Sequence, residues 1–156
     1  MDENKIAELR ARAENLYRNK QYLCSESLFT VVNDHLGRPV PAEVVRLASG
    51  FPVGMGLAGC SCGALTGGIM ALGLKYGRTE PGADNAAALA KAKELHDWFH
   101  EEFGSTCCKV LIRRFEFGSP EHLEQCIRIT GAVTEHVLRM LPQESAVDNH
   151  APSRVG

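Results

Sequence analysis

The sequence predicts an all-α fold: a single-domain helical bundle of about six to seven helices around a buried, Gly-rich central helix. Three observations predict it. Apolar residues recur at helical spacing along most of the chain. No run of any length alternates with a period of two, and no internal repeat occurs, so no sheet is expected. Cap residues punctuate the helical stretches, as at Gly77, Gly104 and Ser119-Pro120.

The elements follow in order. Glu3 to Asn19 reads as an amphipathic helix, with Ile6, Leu9, Ala13, Leu16 and Tyr17 at helical spacing and Glu8, Arg10, Arg12 and Glu14 on the other faces. A second helix is expected from Leu23 to His35, stopping before Gly37, with Cys24 at its start. Pro41 disfavours the helical conformation at Val40 but suits the first turn of a short helix through Leu47. Gly50 to Gly59 reads as a glycine-rich loop. The central helix starts between Cys60 and Gly63 and runs to Tyr76, with Gly77 as its cap.

Arg78 to Asp84 is a polar loop. Asp84 or Asn85 caps a long helix to Phe103, and Gly104 closes it. Ser105 or Thr106 caps a short helix from Cys107 to Arg114. Ser119 and Pro120 supply the N-cap and first position of a last helix to Leu141, with Leu123, Cys126, Ile127, Thr130, Val133, Val137 and Leu138 on its apolar face. The helical domain is therefore expected over residues 1–141. Residues 142–156 have little hydrophobicity and are expected to form a disordered tail.

A chain of 156 residues is long enough for one ordinary core without a disulfide or metal to hold it. The net charge of -2 and the dispersed basic residues exclude an electrostatic footprint for nucleic acid. Leu47 to Leu74 carries no charge and is long enough to span a bilayer. Its repeated glycines and Phe51-Pro52 argue instead for a loop leading into a buried helix, without membrane insertion. The first residues are charged from Asp2 and lack an apolar signal region, so a reducing, cytoplasmic location is expected.

In that setting six cysteines point to metal binding, redox chemistry or core packing rather than a disulfide framework. Several stand at helix starts, where unpaired N–H groups and the dipole favour thiolate, the nucleophilic and metal-binding form. The local spacings match no chelating motif. Cys60-Ser61-Cys62 is not C-x-x-C, and Cys107-Cys108 point about 100° apart on a helix. Any four-cysteine site must be assembled by the tertiary fold. Gly63 and Gly67 share a helix face and admit close approach of a second helix or a cofactor. His96 and His100, at i and i+4, form a candidate metal pair, weighed against an ordinary solvated face beside Glu101 and Glu102.

The segment CGALTGGIMALGLKYG, from Cys62 to Gly77, resembles the signature of the C-GCAxxG-C-C family of redox-active proteins. Cys24 in QYLCSESLF, Cys62, Cys108 in GSTCCKVL and Cys126 match its four cysteines. ASGFPVGMG resembles its glycine-rich lead-in, although Pro52 and Val53 stand where small glycines are more usual. The resemblance covers roughly residues 10–140. It implies a helical fold and a redox or metal role for Cys24, Cys62, Cys108 and Cys126. Its members resemble a domain of split-Soret cytochromes, which implies an iron–sulfur cluster and an unidentified redox partner protein. Cys60 and Cys107 are additions to the pattern and leave open which of each pair serves.

The leading expectation is an electron-transfer protein with an iron–sulfur cluster on those four cysteines. One alternative is a metal-free thiol–disulfide protein in which Cys60, Cys62, Cys107 and Cys108 are the redox candidates. Another is a structural zinc or interaction module. The glycine face would permit a helix-packed homodimer.

Overall fold

A computed structural model describes residues 1–142. Of the tail expected to be disordered, all but Pro142 lies outside the described residues. Among the described residues seven helical segments are present: α1 (Glu3–Arg18), α2 (Cys24–His35), α3 (Pro52–Met55), a single turn with left-handed residues inside it, α4 (Gly63–Tyr76), α5 (Ala86–Phe103), α6 (Cys108–Ile112) and α7 (Pro120–Met140), with a 3₁₀ turn at Ala42–Ala48 between α2 and α3. The fold is all-α, as predicted, and no strand forms among the described residues. None of its helices there is long and apolar enough to cross a membrane.

The caps follow the local chemistry. Ser119 accepts from the His122 N–H at 3.1 Å, and Pro120 takes the first helical position, where a missing N–H costs nothing. Asp84 accepts from Ala86 N at 3.0 Å, while Asn85 holds the cap position of α5. Leu23 cannot cap α2 with its side chain. Glu26 compensates by accepting from the Leu23 N–H at 3.0 Å, and its other oxygen accepts from Ser49 Oγ at 2.7 Å. Pro41 stands one residue earlier than expected, as the cap of the 3₁₀ turn, because its extended ψ of 149° is incompatible with a helical position.

Helix α4 is central: α2, α5 and α7 all pack on it, and α1 lies along α7. Its glycines explain how. A Cβ on Gly67 would stand 2.6 Å from Ser25 Cα and 2.8 Å from Ser25 O, so the α2 backbone occupies that space. A Cβ on Gly68 would stand 2.8 Å from Leu95 of α5 and 3.2 Å from Val137 of α7. The stripe is thus filled by helices of the same chain. Leu28, Leu72, Leu95, Phe99, Val133 and Leu138 form the centre of the core. Ion pairs at the rim, Arg10 to Glu135 at 2.8 Å and Arg139 to Glu3 at 2.7 Å, join α1 to α7.

Two glycines in one helix should respond oppositely to alanine. Gly67→Ala must push α2 away and is expected to cost about 1–3 kcal/mol. Gly73 meets nothing within 4 Å, so Gly73→Ala is expected to stabilise by about 0.5–1 kcal/mol through backbone entropy. Denaturant midpoints measured side by side check both signs.

A four-thiol pocket as the candidate functional site

The site is built on a backbone device that has no counterpart in the helical pattern. Gly59 to Cys62 runs antiparallel to Thr106 to Lys109, centred on an isolated bridge between Ser61 and Cys107. Cys62 N donates to Thr106 O at 2.8 Å, Cys108 N to Cys60 O at 2.5 Å, and Lys109 N to Gly59 O at 3.1 Å. These bonds fix Cys62, the cap residue of α4, beside Cys108, the first residue of α6.

The loop before this pairing winds the wrong way. Val53, Gly54, Met55, Gly56 and Leu57 have φ of 55°, 66°, 65°, 60° and 72°. This is a left-handed turn, and each non-glycine residue in it costs roughly 1–2 kcal/mol. Bonds from Gly59 N to Val53 O and from Cys60 N to Gly54 O, at 3.1 and 3.0 Å, tie it to the cysteine segment. Gly54 is required on two grounds: its φ is positive, and a Cβ would stand 2.5 Å from Cys60 N and 2.7 Å from Cys108 Cβ. Strain of this kind persists where the surroundings over-determine it, commonly at functional sites.

Cys24, Cys62, Cys108 and Cys126 line one pocket, together with Tyr17, Val53, Gly63, Leu111, Ile112, His122 and Ile129. Its enclosed volume is about 20 Å³, room for about one water molecule. The four cysteines come from four helices or their caps. Cys24, Cys62 and Cys108 are only 8, 7 and 6% exposed, and Cys126 is half-buried. Cys60 is exposed, and Cys107 turns its thiol to the Gly59 carbonyl at 3.2 Å. Neither lines the pocket. The inner member of each close pair is therefore Cys62 and Cys108. Gly63 lies directly under the Cys24 sulfur, with no space for a side chain between them. Gly67, one turn on, meets α2 rather than the pocket.

Burial decides the state of these thiols. No Lys, Arg, Asp or Glu lines the pocket. Desolvation pushes Cys62 up to about 12 and Cys126 up to about 11, and it raises Cys24 and Cys108 as well. Counter-effects are present and lose. Backbone N–H groups of Ala64 and Leu65, at the start of α4, favour the Cys62 anion. Those of Ser25 and Val53 do so for Cys24, and the Tyr17 hydroxyl does so by donating to Cys126. Helix starts, as the sequence places them, predict thiolate. The N–H groups do act in that direction, but removal from water outweighs them.

Residues 22–140 match the family described as "Putative redox-active protein (C_GCAxxG_C_C)". The chain belongs to this family. The matched residues include Cys62-Gly63-Ala64-Leu65-Thr66-Gly67, the segment that resembles the family's block but has the glycine after the cysteine. No curated protein and no solved structure matches the chain. The family description supports redox activity, and Cys24, Cys62, Cys108 and Cys126, the four cysteines that the sequence resemblance singles out, share the pocket.

The donor set suits an iron–sulfur cluster or another soft centre in kind and number: four sulfurs, no carboxylate, and backbone N–H groups near two of them. The spacing is another matter. Among the described residues no three His, Cys, Asp or Glu side chains are placed as a group that could hold a metal ion. A cluster is far larger than one water, so loading it requires the pocket walls to move apart. His96 and His100 do not join any such group. They lie exposed on α5, and His96 Nδ1 stands 3.1 Å from Asp97 instead.

Two pocket residues were not singled out in the sequence for the site. Tyr17 reads there as one more apolar position of α1. His122 stands four residues before Cys126, and that i, i+4 spacing was the available signal. Its Nδ1 accepts from Gly118 N at 2.9 Å, which leaves the proton of the neutral ring on Nε2, and burial lowers its pKa.

The raised thiol values set a sign. A group whose pKa is higher folded than unfolded stabilises below its unfolded value, about 8.5 for cysteine, and loses that contribution as pH rises through the folded value. Metal-free protein should therefore lose stability between about pH 8.5 and the values of about 11 and 12 for Cys126 and Cys62. In Cys126→Ala this loss should be smaller. In the metal-free protein with all six cysteines at pH 8, iodoacetamide should modify Cys60 first, with Cys62 and Cys126 slower by about 100-fold or more. Denaturation at stepped pH and mass-spectrometric mapping of alkylation check the two statements.

Proposed function

We propose that this protein is a redox protein in which Cys24, Cys62, Cys108 and Cys126 hold a soft metal centre, with an iron–sulfur cluster as the first candidate. The observation that carries the reading is the convergence of four cysteines from four helices on one enclosed pocket without charged residues. Thiol–disulfide exchange needs an accessible thiolate, and buried thiols of raised pKa suit it poorly. A metal cation reverses their protonation preference, because coordination displaces the proton. A bound cluster would supply one-electron transfer. The chain's own residues would hold the sulfurs, keep water out and lend hydrogen bonds. Backbone N–H groups at Ala64, Leu65, Ser25 and Val53 and the Tyr17 hydroxyl are placed to favour negative sulfur.

A second reading has one observation in its favour. Cys60, next to the bridge between Ser61 and Cys107, is exposed, and Cys107 within it is half-buried, so a metal-free thiol–disulfide role would fall to them. A structural zinc site would use the inner four cysteines without redox chemistry.

Anaerobic purification and reconstitution with iron and sulfide separates these readings. Visible absorption with matching iron and sulfide content is expected. It should be lost in Cys24→Ser, Cys62→Ser, Cys108→Ser and Cys126→Ser and kept in Cys60→Ser and Cys107→Ser. A colourless, iron-free product would sink the cluster reading, and stoichiometric zinc without a redox response would single out the structural one. Titration with Zn²⁺ alone gives a further check. Each thiol that must lose its proton should tighten apparent binding by about tenfold per pH unit below its pKa, as read by a competing chelator between pH 6 and 8.

A further inference from the structure

Arginines on most of the surface are matched by carboxylates. Arg10 reaches Glu14 and Glu135, Arg12 and Arg38 reach Asp34, Arg18 reaches Glu124, and Arg139 reaches Glu3 and Glu135. Arg46 and Arg78 stand singly without a carboxylate among the described residues, Arg78 donating instead to the Ala83 carbonyl at 3.0 Å, whereas one region brings several such arginines to one groove. Arg113, Arg114 and Arg128 line a groove of about 390 Å³ between the end of α5, α6 and α7. No acidic residue is in its wall. Arg128 donates to Gln125 Oε1 at 2.9 Å, and none of the three pairs with a carboxylate among the described residues. Phe103 and Phe115, both half-buried, supply an apolar part of the lining.

Three arginines that line one groove with no acidic residue in its wall give it an uncompensated positive potential, which a bound anion would neutralise. Their planar forks match phosphate oxygens two at a time. The volume is that of a small-molecule site, with aromatic surface beside the charge. Leu111 lines both this groove and the thiol pocket. We propose that the groove binds a phosphorylated small molecule bearing an aromatic ring, of the nucleotide class, one side chain away from the thiols. The binding does not depend on what the thiols hold.

Calorimetric titration of the full chain with ADP and with inorganic pyrophosphate tests this. Both probes are expected to bind, more weakly as salt rises. The double variant Arg113→Gln, Arg128→Gln should weaken both by roughly tenfold or more. Phe115→Ala should weaken ADP and leave pyrophosphate unchanged. Arg46→Gln, a cation outside the groove, should change neither. Circular dichroism verifies that each variant keeps its helices. The proposal is overturned if neither probe binds below millimolar concentration, if the double variant binds like the parent, or if Arg46→Gln weakens binding as much. Unaltered ADP binding in Phe115→Ala would remove the aromatic ring from the assignment.

Discussion

Where α2 crosses α4, two glycines leave no room for side chains, and the helices touch backbone to backbone. Gly67 faces Ser25, and Gly63 faces the Cys24 sulfur. This close approach governs the rest of the site. It places Cys24 over the start of α4, where Cys62 is the cap residue. It also fixes where the preceding loop must run, since a Cβ on Gly63 would stand 3.2 Å from the Phe51 carbonyl and from Pro52 Cα. The left-handed turn follows from that confinement: residues 53–57 must reverse within a few ångströms and deliver Cys60 to its pairing with Cys108. Buried van der Waals contact and backbone hydrogen bonds offset the strain of Val53, Met55 and Leu57.

The chemistry of the pocket is a contest between desolvation and local dipoles. N–H groups at helix starts lower a thiol pKa, but their effect is limited to the first turn. Complete removal of a thiol from water shifts it by several units the other way. Three of the four inner cysteines are less than a tenth exposed, so the metal-free pocket keeps protons on its sulfurs. The same apolar walls that hold the thiols neutral would, around a cation, strengthen its hold on their anions, because a low dielectric amplifies both effects.

Charge elsewhere on the molecule has a different purpose. The ion pairs between α1 and α7 lie at the rim, where exposed pairs contribute little each but set the register of two long helices. Around α6 the pattern is broken. A helix of five residues carries Cys108 toward the thiol pocket on one side and leads into Arg113 and Arg114 on the other. Redox chemistry and anion recognition would thus share one short element, with Leu111 between them.

By itself the sequence determined the all-α class, the long helices, most caps and the choice of the four cysteines that the structure brings to one pocket. These are legible because helical periodicity, cap chemistry and the spacing around Cys62-Gly63-Ala64 are local properties. Only the tertiary structure decided that Cys62 and Cys108 face inward while Cys60 and Cys107 do not. The antiparallel pairing that sorts them joins segments some 45 residues apart, as in Ser61 and Cys107. Tyr17 and His122 enter the pocket by the same kind of long-range packing, which also sets Arg113 and Arg128 along one groove. The protonation of the thiols was equally out of reach of the sequence. A helix start can be read from neighbouring residues, but burial is set by whatever distant elements close over the sulfur.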